Sequence, residues 1–440
     1  MNRRMMTILL VAAFVLLSAC GLKTGSEAAS EATEIITIPA SQENAECTAP
    51  ATESPTEMVT EPPTEPPTEP VAVQITDGYK VLIDSANYTS LFTDNSYWTY
   101  RKIIGTQTLS VVSETAFSNI YVEWYEEPEA YSVVWDTGRI DCGANGFLHE
   151  YIRLPEPVTQ ITIETQTDDV RVLCELDIFT SGSTPEGVQD WSLPCDQADI
   201  LVFPTHSDDD ALFFGPLIAY YAIERELAVQ TAFMVQHTDL PQRNHERLNG
   251  LWEMGIRNYP ILGSAPDKYV KTLSEALYYY ADSHIDQWQV EQIRRFKPLV
   301  VVGHDLKGEY GHGAHMVNAH YLIQAVEYAA DPGCFPESAE QYGIWDAPKL
   351  YLHLYQENEI ILDVNTPLVN DAEGRTPFEI ATAAFKYHRS QHQYRFRVQQ
   401  NGARMYDCRP FGLYRTLVGN DTTADVMENI DLHQWRTSID

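Results

Sequence analysis

Asp199-Ile200-Leu201-Val202-Phe203-Pro204-Thr205-His206-Ser207-Asp208-Asp209-Asp210 is a short apolar run that ends abruptly in histidine and acid. An unbroken run of this length reads as a strand buried on both faces, and its polar tail marks the carboxyl end. A second stretch repeats the arrangement. Pro298-Leu299-Val300-Val301-Val302-Gly303 delivers His304-Asp305-Leu306-Lys307-Gly308-Glu309-Tyr310-Gly311-His312-Gly313-Ala314-His315. Around these runs strand and helix patterns alternate: helical over 211–226, strand over 228–235, helical over 243–254 and 313–330, strand over 350–354. The alternation predicts an α/β domain over 196–440, with a Rossmann-like, mainly parallel sheet and helices on both faces. Such sheets place ligands outside the carboxyl ends of their strands.

Both polar tails therefore fall where a site belongs. In the first, a tight turn brings His206 and Asp209 to one side and leaves Asp208 free. Taken alone, the three acids fit a helix N-terminus equally well. In the second, His312 and His315 are three apart at a helix start and face one way. Taken together, His206, Asp209 and His315 supply two imidazoles and a carboxylate. That set suits zinc and leaves a position open for water. Asp208 and His312 remain as a nearby pair able to handle protons, which is a hydrolase arrangement. His304, Asp305 and Glu309 share the second loop. Substrate contact and support of the ligands both fit them, and His304 and Asp305 are carried forward as substrate-binding candidates. His237 follows the 228–235 strand and is placed to face the same cleft. Phe385–Gln391 reads as part of a late helix, and Phe411-Gly412-Leu413-Tyr414 as core.

His206-Ser207-Asp208-Asp209-Asp210 resembles the His-Pro-Asp-Asp-Glu signature of the PIG-L/LmbE-like N-acetylglucosaminyl deacetylases. Tyr310-Gly311-His312-Gly313-Ala314-His315 is similar to their Tyr-Gly-His-Pro-Asp-His signature. Arg243-x-x-Glu246, with Leu251 and Met254-Gly255-Ile256, resembles their Arg-x-x-Glu helix. The resemblance implies one zinc ion per chain on His206, Asp209 and His315, with Asp208 as general base. It implies that His312 stabilises the oxyanion or protonates the leaving amine, that Tyr310 polarises the carbonyl, and that Arg243 touches substrate. Ser207 stands where the family has proline, Asp210 where it has glutamate, and Gly313-Ala314 where it has Pro-Asp. No ligand or base is lost.

The remaining sequence supplies an address. Arg3 and Arg4 precede an apolar run that ends at Leu17-Ser18-Ala19-Cys20, which resembles a bacterial lipoprotein signal with Cys20 as the lipidated residue. The run is too short for a stable spanning helix. Residues 21–75 read as a linker whose Thr-Glu-Pro-Pro repeat over 60–70 keeps it extended. Residues 76–182 show short alternating strands, such as Tyr121-Val122-Glu123-Trp124-Tyr125, and predict an all-β sandwich. This segment resembles a galactose-binding-like, discoidin-type jelly roll through Leu91–Asn95 with Trp98, Tyr151–Pro155 and Glu175–Phe179. Sugar binding and a spacer role both fit it. Six cysteines follow Cys20 and none lies in a CxxC pair, so a cysteine zinc knuckle is not expected; a Cys334–Cys408 bridge is open. The formal charge of −34 argues against nucleic acid. The expectation is an extracellular, lipid-anchored zinc deacetylase of an N-acetylhexosamine-containing glycan or glycoconjugate, touching the membrane only through its anchor. The competing expectation is a surface glycan-binding protein whose hydrolase domain is inactive or differently specific.

Overall fold

The computed structural model describes residues 69–165, 170–432 and 435. The signal-like run with Cys20, Cys47 and nearly all of the Thr-Glu-Pro repeat lie outside them. No helix among the described residues is long and apolar enough to cross a membrane.

The first part is all-β. Its strands are β1 (Tyr79–Ile83), β2 (Ala86–Asn87), β3 (Arg101–Ile103), β4 (Leu109–Trp124), β5 (Tyr131–Trp135), β6 (Gly138–Cys142), β7 (His149–Thr165) and β8 (Arg171–Phe179). All pair antiparallel, and all belong to one hydrogen-bonded network, not to the two separate sheets of a simple sandwich. The long pair β4–β7 makes this possible. Its register shifts between Val112 and Asn119, and β4 pairs with β1 before the shift and with β8 after it. Backbone pairing reaches back into the stretch read as linker, through bridges Val71↔Ser183 and Gln74↔Phe179. Ala72 is buried there against Tyr121 and Phe179.

β4 explains how this part meets the next. Over Leu109–Ser113 burial alternates, as a one-sided strand requires; from Phe117 to Trp124 every residue is buried. Ile120, Val122 and Trp124 enter the core. Tyr121 and Glu123 point the other way and are covered as well.

The second part is α/β. Its strands are β9 (Ile200–Val202), β10 (Val229–Gln236), β11 (Ile261–Pro266), β12 (Val300–Gly303), β13 (Lys349–His353), β14 (Glu359–Ile361) and β15 (Pro410–Thr416). They lie in the order β11-β10-β9-β12-β13-β15-β14. The first five are parallel, and β15 runs antiparallel to both of its neighbours. The helices are α1 (Asp209–Leu212), α2 (Gly215–Ala219), α3 (Gln242–Glu253), α4 (Leu273–Tyr279), α5 (Ile285–Phe296), α6 (Gly313–Ala330), α7 (Pro336–Tyr342) and α8 (Pro377–Phe385). Alternate strand residues enter different cores. Ile200, Val202, Val300 and Val302 pack with Leu248, Leu251, Ile380 and Ala384 of α3 and α8. Leu201, Phe203, Val301 and Leu350 pack with Ile293, Phe296, Leu322 and Val326 of α5 and α6. Helices thus cover both faces, and each fully buried Val, Leu, Ile or Phe among these contributes about 1.5–3 kcal/mol. Successive connections leave β9 in opposite directions, to β10 on one side and β12 on the other, so the switch point lies between β9 and β12.

Three expectations need correction. The helix expected over 211–226 is broken, because Pro216 cannot sit inside a helix and instead opens α2. The late segment is not one helix: α8 stops at Phe385, and a 3-10 turn spans Arg389–Tyr394. Cys334 and Cys408 are both free.

Candidate active site

The turn after β9 and the loop after β12 meet at the switch point. Asp209 Oδ2 accepts the backbone N–H of His206 at 2.7 Å, which closes the turn. The same oxygen lies 3.2 Å from His206 Nδ1 and 3.3 Å from His315 Nε2, and those two nitrogens are 3.2 Å apart. A tetrahedral ion with bonds of about 2.0–2.1 Å separates its ligands by about 3.3–3.4 Å. The three donor atoms match three corners of that figure, so the donor set fits zinc. Burial opposes charge on Asp209, but His315 and His206 hold its carboxyl well below the usual range.

Behind the ligands lies Glu309, fully buried. Its Oε2 accepts from His315 Nδ1 at 2.7 Å and from His304 Nδ1 at 2.8 Å. Its Oε1 meets His353 Nδ1 at 2.7 Å and the Asp305 N–H at 3.1 Å. This acceptor fixes His315 with its Nε2 lone pair toward the other ligands. His304, Glu309 and His315 also cluster closely enough to suggest a second ion. Their hydrogen bonds to one another make them a supporting layer instead. Expected substrate contact by His304 and Asp305 is therefore corrected. His304 is buried, its Nε2 accepts the Thr205 N–H at 3.0 Å, and neither residue lines the cavity.

A cavity of about 530 Å³ opens over the ligands, lined among others by His206, Asp208, Asp267, Tyr269, Tyr310 and His312. Asp208 is buried, which raises its pKa, while the adjacent Arg243 guanidinium opposes the rise. Arg243 lines the cavity too, but its guanidinium is occupied: Nη2 donates to Asp208 Oδ1 at 2.8 Å and Nη1 to Asp267 Oδ2 at 2.9 Å. It holds the candidate base in place from the cavity wall. His312 Nδ1 accepts the Ala314 N–H at 3.1 Å, so the neutral ring carries its proton on Nε2. Burial, with His315 and His206 nearby, pushes His312 down to about 2. Tyr310 has φ of 44°, a strained left-handed conformation beside the cavity. Burial holds its phenol protonated, with Asp209 and Asp208 adding to the effect.

The departures from the family signatures have local reasons. The Ser207 N–H donates to His237 Nε2 at 3.1 Å, and its hydroxyl accepts from Arg247 at 3.0 Å; proline could do neither. The Gly313 N–H donates to Val270 O at 2.8 Å, again closed to proline. A Cβ on Gly313 would meet Thr272 O at 2.9 Å. Asp210 is fully buried beside His388, and among the described residues neither of its oxygens has a hydrogen-bond partner.

Sequence reasoning missed Asp267 and His353. Asp267 follows β11 and accepts from His237 Nδ1 at 3.1 Å. Its strand carries Gly263-Ser264, so the apolar signal that exposed β9 and β12 is absent. His353 looks like a strand residue, and only the fold brings it to Glu309.

The all-β part packs on the far side of α3. His149 Nε2 meets His245 Nδ1 at 2.7 Å, and the Tyr97 ring stacks on His245 at 4.3 Å. Asn249 Nδ2 donates to the Tyr97 hydroxyl at 2.7 Å, and Gln242 Nε2 reaches Tyr125 at 3.1 Å. The helix that carries Arg243 is thus clamped from behind.

No protein-family model matches the chain. The chain is 26% identical over 207 residues to 1D-myo-inositol 2-acetamido-2-deoxy-alpha-D-glucopyranoside deacetylase 1 of Catenulispora acidiphila, covering 39% of this chain and 60% of that one. A deacetylase of the same description from Streptomyces scabiei is 25% identical over 216 residues, covering 42% and 64%. The chain therefore spans less than two thirds of the length of these relatives. Among solved structures, N,N'-diacetylchitobiose deacetylase from Pyrococcus horikoshii aligns with a TM-score of 0.34 at 16% identity, over 46% of this chain and 74% of that one. A 4-carboxy-2-hydroxymuconate hydratase from Pseudomonas putida aligns with the same TM-score at 17% identity, over 51% and 98%.

Proposed function

We propose that the chain is a zinc-dependent N-deacetylase of the PIG-L/LmbE-like kind, acting on an N-acetylated amino sugar in a glycan or glycoconjugate. The observation that carries this reading is the triangle of His206 Nδ1, Asp209 Oδ2 and His315 Nε2, with sides of 3.2–3.3 Å, beside the unligated carboxylate of Asp208. The relatives named as deacetylases of an acetamido sugar support the choice of substrate class.

His206, Asp209 and His315 would hold the zinc, which when bound would supply Lewis acidity and a water of lowered pKa. Asp208, aimed by Arg243, accepts the proton of the attacking water. Tyr310 and the Nε2–H of His312 are the neutral donors for charge that develops on the acetyl oxygen, each such donor being worth a few kcal/mol. With His312 Nδ1 taken up by the Ala314 N–H, Asp208 is also the group best placed to return the proton to the departing amine. The lipobox-like Leu17–Cys20 supports an exported protein anchored at Cys20 on the outer face of a bacterial membrane.

The test is acetate release from N-acetylglucosamine oligomers by the zinc-loaded chain, against Asp208→Ala. Loss of release with metal content unchanged is expected. Equal release by the variant removes Asp208 as base, and no release by the unaltered chain removes the substrate class.

A further inference from the structure

The candidate cavity does not end at its rim. Tyr269, whose ring lies perpendicular to that of His312 with centroids 4.9 Å apart, also lines a shallow groove of about 460 Å³ over α4. The other walls are Val270, Lys271, Glu275, Tyr278 and Tyr279. Here α4 breaks the usual pattern of a surface helix. Its inner face is fully engaged: Ala276 and Tyr280 are buried, Leu273 and Leu277 pack beside them, and the Tyr280 hydroxyl donates to Lys268 O at 3.2 Å. The N-terminus is capped by Thr272, whose hydroxyl accepts the Glu275 N–H at 3.2 Å. Folding therefore asks nothing more of the outer face, where charged residues are the rule. That face instead presents Tyr278 at 87% and Tyr279 at 41% exposure, next to Tyr269 at 59%. Lone exposed aromatics need no explanation, but a row that continues a catalytic cavity does. The row is also held in register with the site, because Val270 O accepts the N–H of Gly313, two residues before His315.

We propose that Tyr269, Tyr278 and Tyr279 form a stacking platform for the sugar units that flank the one being deacetylated. The substrate is then an oligosaccharide or polysaccharide, and not a single amino sugar on a small aglycone. Aromatic faces accept the C–H faces of pyranose rings, while Lys271 and Glu275 at the edge offer partners for hydroxyls. The inference rests on the deacetylase reading for its direction and on the continuity of cavity and groove for its location.

The test compares kcat/KM for N-acetylglucosamine monomer, dimer, tetramer and hexamer in the zinc-loaded full chain, in Tyr278→Ala and in Tyr279→Ala. Tyr278 is 87% exposed, so folding is not at stake there; Tyr279 also meets the Tyr280 ring at 5.0 Å, so its variant is read together with its Tm. The unaltered chain should gain about tenfold or more from dimer to tetramer. The variants should lose most of that gain and keep their monomer and dimer values. A flat length dependence, or an equal loss at every length, overturns the platform. Retardation of the same three proteins in native gels containing a soluble chitin derivative reads the platform without catalysis. Retardation that Tyr278→Ala abolishes, with no acetate released from any oligomer, keeps the platform and discards the deacetylase reading. A flat length dependence with acetate still released discards the platform alone.

Discussion

Arg243 Nη2 stands 2.8 Å from Asp208 Oδ1, with both side chains only 9% exposed. The candidate base is therefore held by a buried ion pair, which sets its position and its charge. Arg243→Gln removes the strongest of the groups that oppose burial and Asp209, ahead of His206 and His315. The Asp208 pKa then rises, and more of the base is protonated at neutral pH. The acid limb of kcat/KM should move to higher pH, with a loss at pH 7 of about tenfold for each pKa unit by which the base rises above neutrality. Arg243→Lys should shift the limb less, since it keeps the charge without the fork. A pH–rate profile with an unmoved acid limb would contradict the assignment.

Glu309 predicts a metal phenotype. It accepts from His304 and His315, meets His353, and takes the Asp305 N–H. In Glu309→Gln one oxygen becomes an NH₂ that faces ring N–H groups. Zinc affinity should fall about 10–100-fold in competition with a chromogenic chelator. Chelating the unaltered chain should lower its Tm, because an ion that binds only the folded state stabilises it. Unchanged affinity in Glu309→Gln would show that the layer behind the ligands is dispensable.

The contact between the two parts predicts an acid signature. Burial pushes His149 down to about 4. Its unfolded value is about 6.5, so the unfolded chain binds the extra proton between those values. From this group stability falls by about 1.4 kcal/mol per pH unit as pH drops from about 6.5 to 4. Neighbouring Glu123, pushed up to about 8 by burial, acts in the opposite sense. Its native form keeps a proton that the unfolded chain releases above about 4.5, so its contribution grows as pH falls from 8 to 4.5. The two slopes oppose each other in the unaltered chain and separate in variants. Urea midpoints should show that His149→Gln gains on the unaltered chain by up to about 3 kcal/mol between pH 6.5 and 4. Parallel curves would place the titrating group elsewhere.

Much of the architecture was readable because β9 and β12 are covered on both faces, which leaves unbroken apolar runs ending in polar chemistry. The 313–330 helix was legible to its ends for a related reason: glycines and histidine mark its start. Where signals are relational, reading failed. His304 ends a strand as a ligand would, yet its ring turns back to the Thr205 N–H. Arg243 looks free along its helix until Asp208 and Asp267 arrive from two other strand ends. Ser207 looks like a lost proline until His237 and Arg247, 30 and 40 residues away, are seen to use its N–H and hydroxyl. The Gly215-Pro216 break in the first helix was local and visible, but the apolar period ran across it.

The spacing of the three donor atoms along the chain has a consequence for biogenesis. Two of them ride on the turn after β9, and the third arrives 109 residues after His206, with α6. A nascent chain that has made only the first pair offers an incomplete coordination shell and holds an ion weakly. Tight capture waits until the two central strands lie side by side. An ion bound at these three atoms would thereby mark maturation, since only molecules whose central strands have already found each other could hold it tightly.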